Sequence, residues 1–211
     1  GLTDVLVTPN GVTGSRKQPF GRALEFAHAA VRIVLKARRT DNTVGKLYVK
    51  NLKLTMPARL VCGGLKWDTG TKQYLAAPAA ADLVINHSGQ ILSTEDTQVA
   101  VFYLTPCSPA DLLTDLTGTG GTPGLTLTAD VAKDINFTTG ARNASFPILD
   151  GNLNFMDQFG SPATQLKGGE SYETTLKFDI DSFTLEGEEK EWEDGGKMTV
   201  PVVVPEPTPG P

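Results

Sequence analysis

The chain has 211 residues, of which 39% are hydrophobic and 20% charged, and its formal net charge is -5. A chain of this size buries roughly 70% of its extended-state surface and can hold a core without staples, while its negative balance offers no field for a phosphate backbone or an anionic membrane. No apolar run approaches the roughly eighteen residues of a membrane helix, because the longest candidate, Ala27 to Leu35, is interrupted by His28 and Arg32.

Apolar residues recur with period two in many places and with period 3.6 almost nowhere, so the chain reads as all-β. The opening Gly1-Leu2-Thr3-Asp4 has neither the basic region nor the apolar core of a signal peptide. Its leading Gly fits a tag scar or the cut end of a longer precursor. Asp4 to Thr8 is a short strand ended by the turn Pro9-Asn10-Gly11. From Arg22 onward Leu24, Phe26, His28 and Ala30 share one face, after which Val31, Ile33 and Leu35 carry the apolar set on the other parity. That switch predicts a bulge or a strand covered on both sides.

After the turn Thr40 to Thr43, Lys46 to Thr55 alternates again with Val49 off the repeat, and the two segments are expected to pair antiparallel. Leu65 to Tyr74 reads as a hairpin turning at Asp68-Thr69-Gly70. Further strands are expected over Asp82 to Asn86, Thr97 to Thr105, Leu125 to Thr128 and Ser145 to Leu149, with one helical turn at Ser108 to Leu113. Thr117 to Gly124 is a Gly-rich surface connector, not a phosphate loop, which needs a preceding strand and a following helix. Tyr172 to Ile180, Phe183 to Leu185 and Met198 to Val204 complete the series, and Pro205 to Pro211 cannot pair in a sheet and forms an extended tail. About nine or ten strands at regular spacing, with long loops, predict an antiparallel β-sandwich over 1–204.

Chemistry-bearing residues are sparse: two His and two Cys in unrelated settings. His28 reads as a hydrogen-bonded core residue and His87 as a turn residue. Cys62 and Cys107 could bridge, but two buried thiols are the more ordinary arrangement, and their spacing is not that of a zinc site. The acidic run Glu186 to Asp194 lacks the regular oxygen spacing of a calcium loop and reads as a solvated hairpin tip. Asp179 and Asp181 have no identifiable partner acid for glycoside hydrolysis. The sequon Asn143-Ala144-Ser145 has meaning only in a eukaryotic secretory setting. Trp67, Tyr74 and Trp192 lie near turns and are the candidate glycan-facing aromatics, with cross-strand packing as the competing role. No enzyme, metal or cofactor is expected.

Three stretches taken in order resemble the fimbrillin and fimbrillin-anchor family of Bacteroidales surface proteins. They are Asp4-Val5-Leu6-Val7 followed by Leu24 to Ile33 with its Phe26-x-His28-Ala29 core, then Tyr48 to Thr55, then Gly168-Gly169-Glu170-Ser171-Tyr172 running to Glu191-Trp192-Glu193-Asp194-Gly195-Gly196. The middle, from Pro106 to Pro162, departs from the pattern. The resemblance implies a transthyretin-like sandwich and a pilus subunit, anchor or tip adhesin at the cell surface, exported through the periplasm. It also implies a chain corresponding to the C-terminal part of a longer precursor or to a shortened member, the precursor being lipid-anchored in the outer membrane although no lipobox cysteine is present here.

Partners would be other pilus subunits, or the chain itself by strand exchange, and a host protein or glycan. Met198, Val200, Val202 and Val204 have the period-two pattern of a donor or edge strand, and Pro201 restricts the segment to an edge. The alternative is a carbohydrate-binding surface lipoprotein.

Overall fold

The computed structural model describes residues 2–8, 25–39, 41–42, 45–46, 48–91, 93–107, 126–146, 166–178 and 183–191. The expected helical turn at 108–113, the connector at 117–124, Trp192, the segment 198–204 and the tail 205–211 lie outside them. Among the described residues all regular structure is strand. In chain order the strands are β1 (Leu6–Val7), β2 (Ala27–His28), β3 (Val31–Arg39), β4 (Asp41–Asn42), β5 (Gly45–Lys46), β6 (Tyr48–Met56) and β7 (Cys62–Asp68). They continue as β8 (Gln73–Pro78), β9 (Leu83–Ile91), β10 (Thr97–Leu104), β11 (Thr126–Ala132), β12 (Arg142–Phe146), β13 (Glu170–Phe178) and β14 (Phe183–Glu191).

Two four-stranded sheets, ordered β10-β3-β13-β14 and β12-β11-β6-β9, enclose one core. Alternation decides which side chains enter it. Val31, Ile33, Leu35 and Ala37 of β3, Phe102 and Leu104 of β10, and Tyr172, Leu176 and Phe178 of β13 come from the first sheet. Val49, Leu52, Leu54 and Met56 of β6, Leu127, Ala129 and Val131 of β11, and Ile91 of β9 meet them from the second. Each large side chain so buried contributes about 1.5–3 kcal/mol relative to exposure. The arrangement is the expected β-sandwich.

Several local expectations are corrected. β3 and β6 do not pair; each belongs to a different sheet, with the short β4–β5 ribbon between them. Both segments bury one face, and two such faces are satisfied by meeting across a core as well as by lying side by side. The parity switch near Ala30 is a break between strands: β2 pairs with β1, and β3 then joins β10 and β13. Val34, on the opposite face from Ile33 and Leu35, is also buried, so β3 is covered on both sides at its centre. Val49 leaves the repeat because the β6–β9 register shifts between Lys50 and Leu52, where Asn51 has φ 52°. His87 lies within β9 opposite Leu52, not in a turn. The acidic stretch Glu186–Glu191 is the body of β14 and pairs along β13. β3 and β13 run parallel, one such pair in an otherwise antiparallel set, which is feasible because more than a hundred residues of chain separate them.

The residues of the first and third resembling stretches meet at one end of the sandwich. His28 Nδ1 lies 2.5 Å from Asp4 Oδ2, a contact that requires the proton between them, and the Ala29 amide donates to Val5 O at 2.9 Å. Gly169 N donates to Ala30 O at 2.9 Å. Gly168 sits so close that a Cβ there would fall 2.6 Å from Ala29 O, and Gly169 holds φ 85°, so the paired glycines are required by contact and by conformation. The spacing of these motifs is therefore a packing requirement at one joint.

Candidate functional site

Four of the eight exposed large hydrophobic side chains among the described residues, Leu65, Trp67, Tyr74 and Leu75, lie on the β7–β8 hairpin, which forms a two-stranded sheet of its own. Its base is pinned. Val61 bridges to Leu104 at the end of β10, Thr105 N donates to Leu60 O at 2.9 Å, and Ala79 N donates to Val61 O at 2.8 Å. Leu60 and Val61 are core residues, which fixes the direction in which the hairpin leaves. The turn forms as the sequence predicts: Asp68 Oδ1 accepts from Thr71 N at 2.6 Å and Thr71 Oγ1 at 2.7 Å. Those donors, the Thr71 amide foremost, hold the Asp68 carboxyl below its ordinary pKa.

Leu65 faces Ala76 and Trp67 faces Tyr74 across the hairpin, so these four share one side. Trp67 is 48% and Tyr74 55% exposed, and their rings meet edge to face with centroids 5.1 Å apart and planes at 67°. They pack on each other, a contact worth about 0.5–1.5 kcal/mol, as the cross-strand expectation has it, and they remain open to solvent. Leu65 and Leu75 are exposed as well, Leu75 on the other side beside Lys66.

No disulfide joins Cys62 and Cys107. Cys62 starts β7 opposite Pro78 and turns its thiol toward Gly64 O at 3.7 Å, whereas Cys107 forms a bridge pair with Leu166. The two thiols belong to different pairings. Among the described residues no three His, Cys, Asp or Glu side chains converge as a metal site requires.

The sheet edges differ in chemistry. β14 carries Glu186, Glu188, Glu189, Lys190 and Glu191, and β12 opens with Arg142-Asn143; charges of this kind discourage pairing by another chain. β9 and β10 are the opposite edges of their sheets and contain no Asp, Glu, Lys or Arg. They lie next to one another, so among the described strands one flank of the sandwich has two edges without a formal charge, with Val61 bridged to Leu104 at the end of β10. The sequence places strands at Asp82 to Asn86 and Thr97 to Thr105, but only the strand order shows that both are edges.

Two polar networks escaped sequence reasoning. On the outer face of the second sheet Asp130 accepts from Asn51 Nδ2 at 2.7 Å and Asn143 Nδ2 at 3.0 Å, tying β6, β11 and β12 together. Asn143 foremost, then Asn51, lowers the Asp130 pKa. On the outer face of the first, Lys36 Nζ donates to Glu173 Oε2 at 2.5 Å and Thr175 Oγ1 to Asp96 Oδ2 at 3.0 Å. Desolvation, and then the nearby Arg38, lowers the pKa of Lys177 there.

No protein-family model and no curated protein matches the chain. Solved structures overlap it at low identity. A fimbrial protein from Bacteroides vulgatus matches with TM-score 0.45 and 15% identity, covering 79% of this chain and 55% of its own. A C-terminally truncated tip fimbrial protein from Porphyromonas gingivalis matches with TM-score 0.33 and 10% identity, covering 86% and 60%. The chain spans about half the length of several solved chains it matches. These neighbours carry the names of Bacteroidales fimbrial and cell adhesion proteins, the group its motifs resemble, and not of enzymes. At such identities and scores the overlap assigns no function.

Proposed function

We propose that the chain is a structural or adhesive subunit of a bacterial surface fimbrium, a stalk, anchor or tip component that associates with other subunits by β-strand addition. The observation that carries this reading is the flank formed by β9 and β10. Two adjacent edge strands without a formal charge carry none of the charged side chains that discourage an extended segment from adding to a sheet edge. The ordered motifs around Asp4, His28 and Gly168-Gly169 support it from the sequence side. Export through the periplasm, residence at the cell surface and lipid anchoring of a precursor in the outer membrane belong to the same proposal.

The test is self-association of the full chain, followed by size-exclusion with light scattering across a concentration series. Val84→Lys in β9 and Gln98→Lys in β10 place charges at exposed positions on the two edges. Concentration-dependent oligomers that the double variant loses, at unchanged thermal stability, would support the reading. A chain that remains monomeric throughout, or oligomers indifferent to the two lysines, would sink it.

The exposed Trp67 and Tyr74 favour a second reading, a carbohydrate-binding surface lipoprotein, because CH groups of a sugar stack on open ring faces. Glycan-array binding that Trp67→Ala abolishes would favour it. Binding to none, or binding indifferent to that change, would dismiss it.

A further inference from the structure

The two outer faces of the sandwich are built differently. On the first sheet the outward Val34, Ser171 and Thr175 are only 3%, 2% and 8% exposed, and Lys36 is paired with Glu173, so that face is closed. On the second sheet the outward Asn51 and Lys53 of β6, Asn86 and Gln90 of β9 and Asn143 of β12 are exposed. Strand register sets this open face in two rows. Gln90, Lys50, Asp130 and Asn143 lie side by side across all four strands, and Asn86, Lys53 and Thr128 form a second row across three. The longer row crosses three strand spacings, or about 14 Å.

The residue types are not those that a sheet favours for its own stability. Asn and Asp are depleted in strands, yet Asn51, Asn86, Asp130 and Asn143 put one on each strand of this sheet. Two of the amides are preset. Asn51 Nδ2 and Asn143 Nδ2 both donate to Asp130, at 2.7 and 3.0 Å, which turns their carbonyl oxygens away from it as oriented acceptors. A primary amide offers donor and acceptor together, the pattern that neighbouring hydroxyls of a sugar ring present in return. Groups oriented before binding lose less entropy when a ligand arrives.

Charge narrows the ligand. The chain has 24 Asp and Glu against 19 Lys and Arg, but these two rows hold Lys50 and Lys53 against Asp130 alone. Lys50 is engaged: its Nζ lies 4.1 Å from the centroid of the Phe137 ring, and Asp130 stands opposite it on β11. Lys53 stands between Asn86 and Thr128, with no carboxylate opposite it on either neighbouring strand. A cation flanked by an amide and a hydroxyl fits a carboxylate flanked by hydroxyls, the arrangement found in a sugar acid.

We infer that the outer face of the sheet β12-β11-β6-β9 binds acidic oligosaccharides, with Lys53 receiving the carboxylate of a uronic or sialic acid unit and Asn51, Asn86, Gln90 and Asn143 receiving hydroxyls. The contacts use the face of the sheet and leave its edges alone, so the inference does not depend on assembly by strand addition. It is also separate from the aromatic pair, which lies on the β7–β8 hairpin.

The test is an array of uronate- and sialate-containing oligosaccharides beside their methyl esters, which keep the hydroxyls and remove the charge. The full chain is expected to bind acidic members and to bind the esters about tenfold more weakly or less. Lys53→Gln should weaken binding by about tenfold at an unchanged melting temperature, and Asn86→Ala with Gln90→Ala should weaken it as well. Binding to no acidic member, or binding that Lys53→Gln leaves intact, overturns the inference. Equal affinity for a glutamate peptide of the same charge also overturns it, because the amides then recognise nothing.

Chemical-shift mapping with a bound sugar on the unmodified chain does not depend on how the variants fold. The amides of Lys53, Asn86 and Gln90 should move and those of Trp67 and Tyr74 should not. The reverse pattern puts the sugar on the hairpin and rules the sheet face out. Failure of the fimbrial reading would appear only in the oligomer series, so the two tests separate.

Discussion

Asp134, at the β11–β12 turn, shows how one side chain organises a loop that carries no apolar signal. Its carboxylate accepts from the amides of Asn136, Thr138 and Thr139 and from the Thr138 hydroxyl. These bonds, the Thr139 amide first, lower its pKa from 3.8 to about 2. A carboxyl whose folded pKa is depressed stabilises the fold above its unfolded value and loses that contribution as pH falls through the folded one. Asp134→Ala should therefore melt at a lower temperature than the parent at pH 7. The gap should narrow between about pH 4 and pH 2, near the ordinary and shifted values. Thermal melts across that range check it, and a gap that does not change with pH would show that the turn is held by something other than this charge.

At the scale of single elements the bulge in β6 has the largest consequence. Asn51 adopts φ 52° between Lys50 and Leu52, and the register of β6 shifts there against β9. The shift moves the inward set from Val49 to Leu52, Leu54 and Met56, so that both halves of the strand face the core. A left-handed conformation costs most residues about 1–2 kcal/mol but is tolerated by Asn and free for Gly. Asn51→Val should lower stability by about 1–2 kcal/mol in urea unfolding. Asn51→Gly should lose less, through its bond to Asp130 alone. Equal losses would mean that the side-chain bond, not the backbone, sets the bulge. The irregular Val49 signalled an interruption from the sequence, but the residue that bears it is defined only by the partner strand.

The molecule as a whole depends on contact between strands far apart in sequence. Leu127 of β11 is fully buried in the core that β3, β10 and β13 close from the other sheet. Truncating such a side chain leaves a cavity lined from both layers. Leu127→Ala should cost about 2–5 kcal/mol, read as a lower urea midpoint with one cooperative transition. The exposed hairpin change Trp67→Ala should cost much less in the same experiment. A two-step transition in Leu127→Ala would show that the sheets unfold separately, contrary to one shared core.

Fold class, most strand positions, the Asp68-Thr69-Gly70 turn and the scarcity of catalytic side chains were determined by the sequence alone. Period-two alternation, turn chemistry and composition are local properties that need no partner to be read. Strand neighbours were decided only by the tertiary structure: that β3 pairs with β13 in parallel and not with β6, that His87 and Glu186–Glu191 lie in strands, and that β9 and β10 are edges. Alternation specifies which face of a strand seeks the core and is silent about which backbone will satisfy its N–H and C=O groups. That choice is made across distances in sequence where any strand of suitable length can compete, and it is resolved by packing all the apolar faces at once.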